Sequence, residues 1–477
     1  MARMRASVLT QDDREMLHEQ TMRVLEEVGV SVPVPEARAL LAEAGATVEE
    51  ATERVRIPRA LVERCLETTP RQVLLAGRDP ANDVLVGGEA PLTFCTDGAA
   101  TYVLDDETGE RRGGTAADQA MFNRLFDALP NIDYIWTTIS ARDLDPVVAD
   151  LEIAAIAWRN CAKHVQDEIR TPEMVAPFLD MMTAVAGGTP KERPIYTQTN
   201  CTIAPLAHDA EMTAASMELA REHVPILILP MPLMGSTAPM SIAGVTVVSL
   251  AELLSGLVIF QLTEPGCPLI AGPEPAAADM RTGLYMCGAP EATLASLVTY
   301  EMVVGRYGLP CMGLGFGGEN KAPDLQEGVE GMASALSAAL VGVDTLDCIG
   351  TMDGAQMSSL AKVVLDNDTA GMLRTMISDV PMDVSDALFD DIRDVGPRGH
   401  FLAQKSTRQR AKGGGMWKPD VFWRGTFEQH EGRTLVQDAL ERAHELLASH
   451  EVTPLAVDVD IHMDEVIAKA RSLLGPA

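Results

Sequence analysis

Residues 313–330 read Gly-Leu-Gly-Phe-Gly-Gly-Glu-Asn-Lys-Ala-Pro-Asp-Leu-Gln-Glu-Gly-Val-Glu. The glycines Gly313, Gly315, Gly317 and Gly318 let backbone approach a ligand closely. Behind them stand Glu319, Asn320, Lys321, Asp324, Gln326 and Glu330, groups able to hold or polarise a charged small molecule. An apolar run at 310–312 precedes the loop and an Ala-rich run at 331–341 follows it, so the loop joins a strand to a helix. A glycine loop alone also describes an ordinary solvated turn. Its weight comes from its place, seventh in a regular series.

That series consists of short apolar runs at 92–96, 134–139, 163–166, 194–199, 225–230, 268–271, 310–314 and 345–349. Helical patterns follow them at 116–129, 146–160, 172–185, 209–223, 242–262, 290–307, 325–341 and 356–377. Strands alternating with helices predict a parallel sheet. Eight such units predict an α/β fold, a (β/α)8 TIM barrel, with a doubly wound open sheet as the structural alternative. Residues 1–88 read as an N-terminal helical cap, 89–380 as the barrel, and 381–477 as a C-terminal extension. That extension, with a basic segment at 398–415 and an aromatic stretch at 417–427, is expected to wrap the barrel or a neighbouring subunit.

A barrel builds its active site from the loops after its strands. Those positions hold Asp97, Gly98 and Tyr102; Thr137 and Thr138; Gln166, Asp167 and Glu168; Asn200 and Cys201; residues 232–239; Gly272, Glu274, Met280 and Arg281; the glycine loop; and Met352, Asp353 and Gln356. Carboxylates and amides dominate, and histidine is scarce. His164 lies inside the third run, where a lone histidine is more often structural than catalytic. No HExxH and no Ser-His-Asp pattern occurs. A zinc site could be drawn from Cys201, Cys311, Cys348 and Glu274, but nothing in their spacing recommends it. Schiff-base chemistry would need a strand lysine, and only Lys163 begins a strand.

The 477 residues include 69 Asp and Glu against 38 Lys and Arg, a formal net charge of -31. That balance repels phosphate backbones and anionic lipid, so no nucleic-acid and no membrane partner is expected. Aromatic residues make up 4% and methionine numbers 25, so methionine is expected to fill part of the core. The N-terminus carries no apolar signal core, and the longest apolar run, 245–262, contains Glu252, which together point to a cytoplasmic protein. The eight scattered cysteines form no C-x-x-C pair and suggest no disulfide framework.

Several short motifs occur in order: Gly-Ser-Thr-Ala-Pro at 235–239, Gln-Leu-Thr-Glu-Pro-Gly at 261–266, Asp-Met-Arg-Thr-Gly at 279–283, Gly-Ala-Pro-Glu at 288–291, and Asp-Leu-Gln-Glu-Gly at 324–328 with Glu330. With Leu-Glu-Glu-Val-Gly at 25–29 and His-Phe-Leu at 400–402, they resemble the trimethylamine methyltransferase family over nearly the whole chain. The resemblance implies a barrel enzyme that moves a methyl group from a methylated amine to the Co(I) corrinoid of a partner protein. It implies no corrinoid held tightly by this chain, no metal, and a homo-oligomer. With only standard residues, the chain resembles the pyrrolysine-free branch acting on glycine betaine and other quaternary amines. It departs from the family pattern at Asn320-Lys321, at Lys405 and in the 348–352 segment, which bears on the substrate more than on the fold.

For such a reaction the expected catalytic residues are Asp97, Glu274, Asp324 and Gln326. Aromatic faces and counter-charges for the ammonium are expected from Phe94, Tyr102, Trp136, Phe316, Asp167 and Glu319. Asn200, Arg281, Asn320 and Gln356 would complete substrate binding, and Gly235, Ser236, Thr237, Gly317, Gly318 and Met352 would face the corrinoid. Two other readings stand beside this one: a barrel that binds osmolytes without turnover, and a lyase or aldolase holding a phosphorylated substrate on the glycine loop.

Overall fold

A computed structural model describes residues 4–98, 100–379, 384–413, 416–430 and 432–475. The boundary expected at 380–381, residues 414–415 of the basic segment and residues 1–3 of the N-terminus lie outside the described residues. The architecture is mixed α/β, and each expected apolar run overlaps a strand. We label them β1 (Thr93–Thr96), β2 (Ile135–Trp136), β3 (Val165–Asp167), β4 (Tyr196–Ile203), β5 (Ile226–Leu229), β6 (Leu269–Ala271), β7 (Met312–Gly313) and β8 (Thr345–Ile349). The helices after them are α1 (Ala116–Ala128), α2 (Ala149–Asn160), α3 (Pro172–Ala186), α4 (Ala210–Arg221), α5 (Ile242–Thr263), α6 (Pro290–Glu301), α7 (Leu325–Val341) and α8 (Leu360–Ile377).

Each strand has a parallel neighbour on both sides. Ladders join β2 to β3, β3 to β4, β4 to β5, β5 to β6, β7 to β8 and β8 to β1. Single parallel bridges, Cys95 with Tyr134 and Ala271 with Cys311, link β1 to β2 and β6 to β7. Side chains alternate between faces along a strand. Phe94, Ile135, Val165, Tyr196, Ile226, Ile228 and Leu269 join the layer shared with the helices. Their neighbours Cys95, Trp136, Leu227, Leu229, Ile270 and Met312 meet one another in a separate inner cluster.

A hairpin, Val73–Leu75 paired with Val84–Val86, adds Val73, Leu75 and Val86 to that inner cluster from the N-terminal ends of the strands. Ala76 N donates to Pro194 O at 3.0 Å, just before β4. His164 belongs to this lower layer: its Nδ1 is 3.1 Å from Ala76 O and its Nε2 is 2.8 Å from Thr197 Oγ1. Complete burial pushes its pKa down to about 3, so it stays neutral.

The N-terminal segment is not a separate cap. Helix Gln11–Arg23, started by a Thr10–Asp13 capping box, packs on α5 together with Pro35–Glu43 and Arg59–Thr68. Helices Leu435–Ser449 and Val457–Leu474 pack on α8 and α3. Leu17, Leu61, Ala443 and Met463 all enter the one large apolar cluster, so the three expected segments share a core. This enclosure explains the composition of α5, which is long and apolar enough to cross a membrane. It is wrapped by other helices instead, and Glu252, 1% exposed, accepts from Leu206 N at 2.8 Å and from Thr202 Oγ1.

Candidate active site

Three carboxyl groups meet on the inner side of the strands near their C-terminal ends. Asp97 follows β1, Glu274 follows β6 and Asp347 lies within β8. Asp97 is 6% exposed; its Oδ2 accepts from Thr351 Oγ1 at 2.8 Å and its Oδ1 from Gly98 N at 2.7 Å. Asp347 Oδ1 accepts from Gly315 N at 3.3 Å, at the start of the glycine loop. Burial, followed by the charge of Asp347, pushes the Glu274 carboxyl well above the usual carboxylate range. Burial likewise raises Asp97 and brings Asp347 to about 7, with Glu274 as its hydrogen-bonding neighbour. Two carboxyls so close hold one proton between them more readily than two negative charges. Glu274 Oε1 is buried and has no hydrogen-bond partner.

The backbone of β8 makes this arrangement. Its register with β1 shifts between Leu346 and Ile349, and Cys348 takes a φ of 63°. The irregularity breaks the strict alternation of a strand. It turns Asp347 and Cys348 to the same side, and Cys348 Sγ reaches Asp97 Oδ2 at 3.4 Å. Tyr285 and Cys287, from a hairpin end after β6, pack with Cys348 and Leu314 to form one wall. Trp136 forms part of another, and Gly98 lies flat against it: a Cβ on Gly98 would stand 1.9 Å from the indole Nε1. On the β3–β4 side, Cys201 Sγ lies 3.5 Å from Glu168 Oε1, a carboxyl whose pKa burial also raises.

Of the expected site residues, Asp97, Glu274 and Trp136 lie on the inner side of the strands, with Asp347, Glu168, Tyr285 and Cys348 near them. The other expected site residues have different partners. Phe94 and Phe316 pack edge to face at 5.8 Å in the helix-facing layer, because Phe94 alternates with the inward Cys95. Asn200 likewise points outward, its Nδ2 3.1 Å from Ser216 Oγ on α4. Two guanidinium groups already lie over the Tyr102 ring, Arg111 at 3.4 Å and Arg142 at 4.4 Å from its centroid, which disfavours a further cation there. Asp167 is held by Thr137 Oγ1 and by Glu168 N at 2.9 Å. Arg281 and Gln356 are exposed, and Met352 is fully buried.

The glycine loop turns out to be braced by its own acids. Asp324 is the exposed N-cap of α7, accepting from Gln326 N at 2.9 Å, and Gln326 Nε2 donates to Glu330 Oε1 at 2.9 Å. Glu319 Oε1 accepts from Gly288 N at 2.9 Å, and Asn320 N donates to Glu327 Oε2 at 3.2 Å. Gly318 is required because a Cβ there would stand 2.6 Å from the Glu327 carboxylate. Gly317 packs beside Cys348, while Gly235, Ser236 and Thr237 form a partly exposed turn after β5. Acids surrounding the glycines disfavour a phosphate there. Lys163 Nζ donates to Phe126 O at 2.6 Å and Leu129 O at 2.8 Å, toward the helices, so it is not placed for a Schiff base. Cys311 also belongs to the helix-facing cluster, away from Cys201 and Cys348.

Parallel strands bring three buried carboxyl groups and, through the Asp97–Gly98 turn, an indole together near their C-terminal ends. The model of the trimethylamine methyltransferase family matches residues 2–475, and the chain belongs to that family. Trimethylamine methyltransferase of Methanosarcina barkeri is 30% identical over 471 residues, covering 97% of this chain and 95% of the relative. Glycine betaine methyltransferase of Desulfitobacterium hafniense is 29% identical over 478 residues, covering 98% of each. The crystal structure of the Methanosarcina barkeri monomethylamine methyltransferase shares the fold, with a TM-score of 0.53 at 11% identity, covering 98% of this chain and 87% of that one.

Proposed function

We propose that this chain is a closed (β/α)8 barrel that transfers a methyl group from a quaternary methylamine to a corrinoid carried by a partner protein. The observation that carries the reading is the enclosed group Asp97, Glu274 and Asp347 beside Trp136, within a methyltransferase family. The pairing of each strand with a parallel neighbour on both sides supports the barrel. The chain contains only the standard residues, and a quaternary ammonium suits that fact. Its leaving group is already a neutral amine, so displacement needs neither a general acid nor covalent activation.

A corrinoid on the partner would supply a two-electron nucleophile to the methyl carbon, with the pair of the broken N–CH3 bond left on nitrogen. What this chain contributes is orientation. The carboxyl groups hold the cation, the Trp136 face and the Tyr285–Cys287 wall limit its poses, and enclosure excludes water. The test is methylation of free Co(I)-cobalamin, followed by absorbance, across glycine betaine, carnitine, choline, tetramethylammonium and trimethylamine. Methyl-cobalamin is expected with at least one quaternary amine. Binding of one compound with no transfer to free cobalamin or to a co-expressed corrinoid protein would instead establish the osmolyte-binding reading.

The helix Lys405–Lys412, with Arg408, Arg410 and Lys412, is proposed to steer the partner onto the acidic barrel. Reversing these three to Glu is expected to slow transfer to the corrinoid protein while leaving transfer to free cobalamin unchanged. Equal rates to the protein-bound acceptor would remove that role.

A further inference from the structure

Every formal charge of the pocket is negative. Asp97, Glu274 and Asp347 lie near one another, and the titratable groups around them include Glu168, Cys95, Cys201, Cys287, Cys348, Tyr134, Tyr285 and Tyr300. Among the described residues, no Lys or Arg pairs with any of the three carboxyls. The nearby cations are engaged elsewhere. Lys362 Nζ binds Phe316 O at 3.0 Å and Asp366, and Lys321 Nζ lies 2.9 Å from Asp353 Oδ1. Arg170 is held by Asp150, and Arg111 and Arg142 stack on Tyr102.

A second observation points to a ligand. Glu274 is 7% exposed, and its Oε1 finds no donor within the protein. In the ionised form that oxygen would be costly unless the charge of a ligand compensated it. A tetra-alkyl cation has no N–H to donate, so it must be recognised by charge and by an aromatic face. This pocket offers both. A zwitterion would also bring a carboxylate among three others, with no cationic side chain to receive it.

Resting on the methyltransferase reading above, we infer that the substrate of this pocket is a permanently charged methylated onium with no carboxylate of its own, a choline- or tetramethylammonium-like cation rather than a betaine, held by Asp97, Glu274 and Asp347. Binding such a cation favours the ionised form of Asp347, so it expels a proton from the doubly protonated Glu274–Asp347 pair and leaves one shared. With Asp347 at about 7, affinity rises with pH across neutrality and falls as the pair takes up its second proton.

The test is calorimetric titration of the full chain with tetramethylammonium, choline and glycine betaine, at pH 6 and pH 8 and in two buffers of different ionisation heat. Tetramethylammonium or choline is expected to bind at least tenfold more tightly than glycine betaine. Its affinity should rise severalfold from pH 6 to pH 8, with proton release visible as a buffer-dependent heat. Glu274→Gln should lower affinity for the cation at least tenfold without improving rejection of betaine, while the pH dependence stays with Asp347. Asp347→Asn provides an independent near-isosteric replacement, and thermal melts verify that both variants fold. Glycine betaine binding as tightly as choline, and yielding methyl-cobalamin, would overturn this inference while leaving the methyltransferase reading intact. Failure of every onium to bind, with no methyl transfer from any, would overturn both.

Discussion

Lys362→Met is expected to destabilise the protein by about 3–5 kcal/mol, the range for removing one partner from a buried ion pair. Lys362 is 3% exposed on α8, donates to Phe316 O and Asp366, and lies 3.7 Å from Glu327 Oε1. It joins three parts of the site: the glycine loop through Phe316, the first turn of α7 through Glu327, and the start of β8's loop, because Asp366 Oδ2 accepts from Gly350 N at 2.8 Å. Methionine preserves the length and much of the volume but leaves two carboxyl groups without their cation. The sign of the pH dependence follows. Burial already raises Glu327 to about 8 in the folded chain, against the charge of Lys362, which lowers it. Stability from such a raised carboxyl is full below its unfolded value and is lost as pH rises toward 8. Without Lys362 both carboxyls hold their protons still longer, so the deficit should be small at pH 5 and grow toward pH 8. Thermal melts of both proteins across that range measure it, and a Tm at pH 8 within a degree of the parent's would refute the assignment.

Gly98→Ala is expected to cut methyl transfer by about a hundredfold, the scale on which a shift of roughly 1 Å at a reacting centre is felt. The new methyl group cannot coexist with the Trp136 indole, whose Nε1 would be 1.9 Å away. The indole must swing, and with it goes the aromatic face beside Asp97. Trp136→Phe removes the atoms that collide. Placed on the Gly98→Ala background, it should therefore recover part of the lost rate, although alone it should lower the rate. That non-additivity is the signature of a direct contact. Equal and independent losses in the double-mutant cycle would show that Gly98 acts through the backbone instead.

The strands were legible because each apolar run is short and sharply bounded, often by proline, as before β4, β5, β6 and β7. Their inward and outward faces were legible too, but only by counting in twos. Phe94 and Asp97, three apart, could not both face the pocket; the same count sends Asn200 outward beside the inward Cys201. Asp347 was missed although its signal is plain, a single carboxylate inside the otherwise apolar run Thr-Leu-Asp-Cys-Ile. Glu168 was passed over for Asp167 by the same parity. The irregularity that turns Cys348 inward has no such signal, since nothing in its residue type announces a positive φ. Asp324 and Gln326 illustrate the opposite error. Their motif matched the family, yet they cap and brace a helix on the outside of the site.

The hairpin formed by Val73–Leu75 and Val84–Val86 fills the N-terminal end of the strand assembly with apolar side chains. If the methyl acceptor arrives at the opposite end, one doorway serves every passenger. The amine must already be seated when the protein bearing the acceptor arrives, and the demethylated product must wait for it to leave. Steady-state kinetics should then show a compulsory order, with the free amine product competing against its own substrate, and excess acceptor protein slowing turnover by covering that end.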